Sequence, residues 1–178
     1  LRTEKFFKQY ALGDDFVRLN KLFFKYFRIP KELELIVEDY DLKYDLKNSL
    51  GIHFRGTDKT TDTFMNTPVL IEEFYVIIDS FLANNSDIKN IYLATDESPV
   101  VTYMKNKYPD IGVVVSRDTF QRTNKNIISN SKEAMIDMLC LSKCKIVLKI
   151  SSALSGFSKI INPDLVIYRL NASKMFTD

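Results

Sequence analysis

The residue types best suited to chemistry fall in one short stretch, Gly51-Ile52-His53-Phe54-Arg55-Gly56-Thr57-Asp58-Lys59. It holds the only histidine of the chain, followed by an arginine, an aspartate and a lysine. Apolar Leu50 and Ile52 lead into it, which reads as a buried strand opening into polar groups. Parallel sheets build ligand sites in this way, at the carboxyl ends of their strands. Side chains alternate along a strand, so His53, Arg55 and Thr57 share one face while Ile52 and Phe54 enter the core. A histidine beside an arginine suits an anionic, planar ligand such as a nucleoside diphosphate, because the guanidinium fork matches two phosphate oxygens. The same residues also fit a solvated strand end with an ordinary Arg55–Asp58 ion pair.

Three further places carry polar groups where ligands bind in such folds. Thr95-Asp96-Glu97 follows an apolar run and precedes Ser98-Pro99. It serves as a helix cap, a ligand contact or both. Ser151-Ser152 stands between a strand and a helix, where hydroxyls and free N–H groups form an anion site or a plain cap. Asp137 interrupts the apolar stripe that holds Ala134, Cys140 and Leu141. A carboxylate buried there needs donors, and a guanine edge would supply them.

The elements that must position these groups follow from the pattern. Strands are expected at 50–54, 90–95, 112–115, 145–149 and 164–168, each a short apolar run of the kind buried on both faces. Helical periodicity falls at 68–83, 98–107, 131–143 and 152–161. This alternation implies an α/β fold, a doubly wound parallel sheet with right-handed crossovers. Upstream, residues 1–28 are aromatic and basic with helical spacing in parts, and Pro30 opens a helix through Ile36. We therefore divide the chain into a helical N-terminal segment, 1–49, and a Rossmann-like domain, 50–178.

Composition narrows the function classes. With 178 residues, 46% hydrophobic, and a net charge of +2, the chain has the make-up of one globular domain. That charge gives no support for nucleic acid, and none is expected as a partner. No apolar run is long enough to span a membrane, although a chain opening on Leu1 could have lost a leader or anchor upstream. There is no GxGxxG, no Walker sequence and no hydrolase triad, and one histidine makes a histidine-based metal site improbable. Asp39-Tyr40-Asp41 has the DxD pattern of metal-dependent sugar-nucleotide enzymes but reads as a solvated helix face. Cys140 and Cys144, one helical turn apart, read as core thiols. Asn84-Asn85-Ser86 and Asn171-Ala172-Ser173 match the glycosylation acceptor pattern, which arises often by chance.

Taken in order, 51–59, Ile91-Tyr92-Leu93-Ala94-Thr95-Asp96-Glu97, Ile136-Asp137-Met138-Leu139-Cys140-Leu141-Ser142 and Ser151-Ser152 resemble the nucleotide-binding half of α-1,6-fucosyltransferases. Lys105-Asn106-Lys107-Tyr108-Pro109 is similar to the core-fucosylating members of that superfamily. The resemblance covers about residues 50–160. It implies a GT-B-type enzyme using GDP-fucose and a glycan acceptor, inverting, with no cofactor and no obligatory metal. His53 and Asp137 then correspond to the guanine-binding pair, Arg55 to the arginine on the β-phosphate, and Ser151 or Ser152 to its hydroxyl partner. Asp58, Lys59, Asp96 and Glu97 fall on positions that shape the site. The implied compartment is cytoplasmic for a bacterial chain and the Golgi lumen for a eukaryotic one.

Three departures accompany the resemblance. Gly56 replaces the family's second arginine. Thr63 stands where core-fucosylating enzymes carry a glutamate, leaving Asp62 as the nearest acceptor base. The interval from Asp137 to the serines is about one residue shorter than in the family. Residues 1–49 are also too few for an acceptor domain, so the chain is expected to be either the carboxyl-terminal part of a larger enzyme or a reduced relative. These points keep a second expectation open, a noncatalytic GDP-sugar-binding module. An α/β domain with no nucleotide site is the third.

Overall fold

A computed structural model describes residues 7–9, 15–55, 71–116, 127–150 and 152–170. The elements in chain order are β1 (Phe7–Gln9), α1 (Asp15–Tyr26), α2 (Lys31–Tyr44), a 3-10 turn (Leu46–Asn48), β2 (Ser49–Phe54), α3 (Ile71–Asn84) and β3 (Asn90–Thr95). They continue with α4 (Ser98–Lys107), β4 (Gly112–Val114), α5 (Ile127–Lys143), β5 (Ile146–Lys149), α6 (Ala153–Ile161) and β6 (Val166–Leu170). The sheet order is β1-β6-β5-β2-β3-β4. The five strands from β2 to β6 are parallel, and β1 pairs antiparallel with β6 at the edge. The α/β fold with a doubly wound parallel sheet is thus present, and the N-terminal segment adds an edge strand to its helices.

Strand progression reverses at β2. From β2 the chain builds outward through β3 and β4, then returns to lay β5 and β6 on the other side of β2. Right-handed crossovers then send the helices to opposite faces. On one face Ile52, Phe54, Leu93 and Leu148 pack with Phe74, Ile77 and Ile78 of α3 and Val100, Val101 and Met104 of α4. On the other, Tyr92, Ala94, Val147 and Ile167 pack with α2 through Leu33 and Val37 and with α5 through Ile136, Leu139 and Cys140. Both cysteines are buried free thiols, as their spacing predicts. Gly51 lies on this second face, where an added Cβ would stand 2.8 Å from Val147 and 3.0 Å from Leu141. The missing side chain therefore lets α5 approach the sheet.

Strand boundaries follow the sequence reading except at the carboxyl end. Residues 164 and 165 belong to a turn: Asp164 N–H donates to the Asn162 side chain and Leu165 N–H to the Asn162 carbonyl. Asn and Pro favour such a turn, so β6 begins two residues later than expected and runs to Leu170. The helix opened by Pro30 extends to Tyr44, where Asp45 ends it in the left-handed region (φ 51°). Asp39 is exposed and Asp41 pairs with Lys143 at 2.9 Å, consistent with a solvated helix face.

Candidate functional site at the strand switch

Reversal at β2 leaves a switch point between β2 and β5, where loops from adjacent strands diverge and ligands bind in open α/β sheets. The described residues that end these strands are His53 and Arg55 on one side and Lys149, Ile150 and Ser152 on the other. His53 pairs in register with Ala94 of β3 and Lys149 of β5, and Lys149 pairs in turn with Arg169 of β6. Register partners in a sheet share a face. His53, Lys149 and Arg169 therefore form one row on the side of α5 and α6. The backbone closes the same junction, with Ile150 N–H donating to the His53 carbonyl at 3.3 Å.

His53 is buried, and its Nδ1 lies 2.7 Å from the Ser155 hydroxyl in the first turn of α6. Alternation predicts the face it occupies, opposite Ile52 and Phe54. Arg55, just past the strand, is partly exposed and stands 3.7 Å through Nε from the Asp96 carboxylate at the end of β3. Asp96 itself is buried. The carboxylate thus turns to Arg55, and the turn before α4 is closed by Thr95, whose hydroxyl accepts the Glu97 N–H at 3.2 Å. Glu97 holds the N-cap position without capping through its side chain.

Asp137 is buried on α5, and its Oδ1 accepts hydrogen bonds from Tyr92 Oη at 2.9 Å and Ser116 Oγ at 2.5 Å. Tyr92 pairs in register with Gly51, two residues before His53. Asp137 therefore faces the same side of the sheet as His53 and, by alternation, Arg55. Burial, and after it the Asp137 carboxylate, push the Tyr92 phenol well above its ordinary value. The phenol thus stays protonated and donates.

The amino end of α6 is firmly seated. Ser152 takes the N-cap position, but its hydroxyl makes no cap. Its carbonyl instead accepts the Lys149 ammonium at 2.7 Å and the Gly156 N–H at 3.4 Å. Ser158 Oγ donates to the Met138 carbonyl, and Asn162 Nδ2 to the Ser142 carbonyl, both at 2.8 Å, tying α6 to α5. Asn20 of α1 donates to the last carbonyls of α6 at 2.8 and 3.0 Å. Burial, and then the neighbouring Arg169, push the Lys149 ammonium down to about 7.

Of the residues singled out in the sequence, His53, Arg55, Asp96, Glu97, Asp137 and Ser152 are placed by the structure. His53 and the amino end of α6 that opens at Ser152 meet at the switch point, while Arg55 pairs with Asp96 past the end of β3. Asp58, Lys59, Asp62 and Ser151 lie outside the described residues, as do Gly56 and Thr63. Sequence reading missed Lys149, Arg169 and Ser155. Lys149 carries a signal of its own, a charge ending the apolar run Ile146-Val147-Leu148. Among the described residues no cluster of histidine, cysteine, aspartate or glutamate is suited to a metal ion, and no helix is long and apolar enough to cross a membrane.

The fold and this switch-point site define a Rossmann-like α/β domain. No protein-family model matches the chain, and no curated protein sequence matches it either. Solved structures do match its fold, fucosyltransferases among them. They include the α-1,6-fucosyltransferase NodZ soaked with GDP-fucose (TM-score 0.56, 18% identity) and the same enzyme co-crystallised with GDP (0.53, 18%). NodZ from Bradyrhizobium in selenomethionine form gives 0.51 at 17% identity. Each match covers 80% of this chain and 46% of the other, so the chain spans about half the length of the structures it resembles.

Proposed function

We propose that this chain is the donor-binding part of a fucosyltransferase-like glycosyltransferase, which takes GDP-fucose and transfers fucose to a glycan hydroxyl with inversion and without an obligatory metal. One observation carries the reading: His53 and the amino end of α6 meet at the strand switch, on the sheet face that also holds Asp137, and Arg55 follows two residues after His53. The likeness to enzymes solved with GDP-fucose and with GDP supports it.

In this reading His53 and Asp137 hold guanine, with Tyr92 and Ser116 orienting the Asp137 carboxylate. Arg55, Ser151 and Ser152 meet the diphosphate. Asp58, Lys59, Asp96 and Glu97 shape the site, with Asp96 holding the Arg55 guanidinium. As the C1–O bond breaks, negative charge grows on the β-phosphate, and preorganised donors stabilise it at about 3–4 kcal/mol each. Asp62 would take the acceptor proton as general base. The acceptor domain would lie outside this chain.

Calorimetry with GDP, GDP-fucose and ADP, beside a GDP-release assay, tests the proposal. Binding of both guanine nucleotides but not ADP is expected, with Arg55→Ala losing binding and release while keeping its melting temperature. Wild-type release by that variant would refute it. Gly56 and Thr63 favour a second reading, a noncatalytic GDP-sugar-binding module. Tight GDP-fucose binding with no sugar release, even with an acceptor domain supplied, would select it.

A further inference from the structure

We propose that Lys149 is a positioning residue for the donor diphosphate, holding the Ser152 carbonyl and so fixing the first turn of α6 beside the carboxyl ends of β2 and β5. The inference rests on the donor reading above and extends it to a residue outside the motifs that suggested it. Lys149 is 1% exposed, on a sheet face whose other β5 position, Val147, is aliphatic. Packing alone would favour methionine or leucine there, because burying an ammonium carries a large desolvation cost. Nor does the helix need it, since the Ser152 carbonyl already accepts the Gly156 N–H.

Geometry explains the lysine. Its Nζ reaches forward over the β5–α6 turn to the Ser152 carbonyl, 2.7 Å away. Its register neighbour His53 grips the same helical turn through Ser155. Two adjacent strand ends thus hold one turn by two side chains. Arg169 completes the row on the other flank. The Lys149 and Arg169 side chains and the helix amino end then lie together where a diphosphate would meet Ser152.

The test compares GDP and guanosine binding by wild-type protein, Lys149→Met and Lys149→Gln, using calorimetry for GDP and NMR titration for guanosine, with melting temperatures alongside. Lys149→Met should lose about tenfold in GDP affinity, the size of one charge-assisted contact, while guanosine affinity stays within about twofold of wild type. Lys149→Gln, which keeps an amide donor, should fall between, and it decides the matter if the methionine variant does not fold. A merely structural lysine would weaken both ligands alike. An unchanged GDP-to-guanosine ratio in GDP-binding protein overturns this inference alone. Wild-type protein that ignores GDP overturns the donor reading and this inference with it.

Discussion

His53 Nδ1 and the Ser155 hydroxyl lie 2.7 Å apart, both buried, joining the central strand to the first turn of α6 across 102 residues of sequence. A histidine held through Nδ1 has its ring plane fixed, so the pair sets which way Nε2 points. Ser155→Ala removes the partner and leaves a buried ring nitrogen without that contact. The expected loss is about 1–2 kcal/mol of stability, read as a lower urea midpoint at unchanged slope. GDP affinity should fall as well, because the ring loses its orientation. Unchanged stability and affinity together would show that the contact contributes nothing.

Asp137 separates a structural role from a recognition role. Asp137→Asn retains an oxygen that accepts from Tyr92 and Ser116, so the fold should lose less than about 1 kcal/mol, whereas Asp137→Ala strands the buried Tyr92 hydroxyl at about 2–3 kcal/mol. If the carboxylate reads guanine, the asparagine variant should also lose about tenfold of its preference for GDP over ADP. Retention of the full preference would assign base reading elsewhere.

Gly51 tests how tightly α5 lies on the sheet. A Cβ there would stand 2.8 Å from Val147 Cγ2, 3.0 Å from Leu141 Cδ2 and 3.1 Å from Cys144 Sγ, all buried side chains. Gly51→Ala should cost about 1–3 kcal/mol by overpacking, and adding Val147→Ala should recover part of it. A single variant with wild-type unfolding would show that the helix shifts freely.

The parallel strands were legible because continuous apolar runs such as Asn90–Thr95 leave little alternative. β1 was not: Phe7-Lys8-Gln9 is too short to carry a period, and its partner β6 lies far along the chain. At the site, the charges after Ile52 marked a strand end without any knowledge of neighbours. Lys149 and Ser155 stayed hidden because their roles depend on register and on a helix that turns back over β2, neither of which local pattern records. Asp137 was recognisable as a buried acid, but its donors come from elsewhere in the sheet, Tyr92 within β3 and Ser116 just past β4.

The buried lysine and the buried thiols pull the stability of the fold in opposite directions along the pH axis. Burial first, and then Arg169, lower Lys149 from 10.5 to about 7. Below about pH 7 its ammonium is charged whether folded or not, and the burial cost is carried in full. Above that pH and up to the unfolded value, the folded amine is neutral while the unfolded one binds a proton, so stability rises with pH by up to about 1.4 kcal/mol per unit. Burial raises Cys140 from 9.0 to about 12 and Cys144 well above 9.0. Above about pH 9 the unfolded thiols lose protons that the folded ones keep, and stability falls. Melting temperature should therefore climb from about pH 7 to about pH 9 and then decline. Lys149→Met should reduce the climb, leaving the smaller rise from Lys159, which burial also lowers, and should leave the decline; a wild-type curve flat across that interval would contradict the lowered lysine.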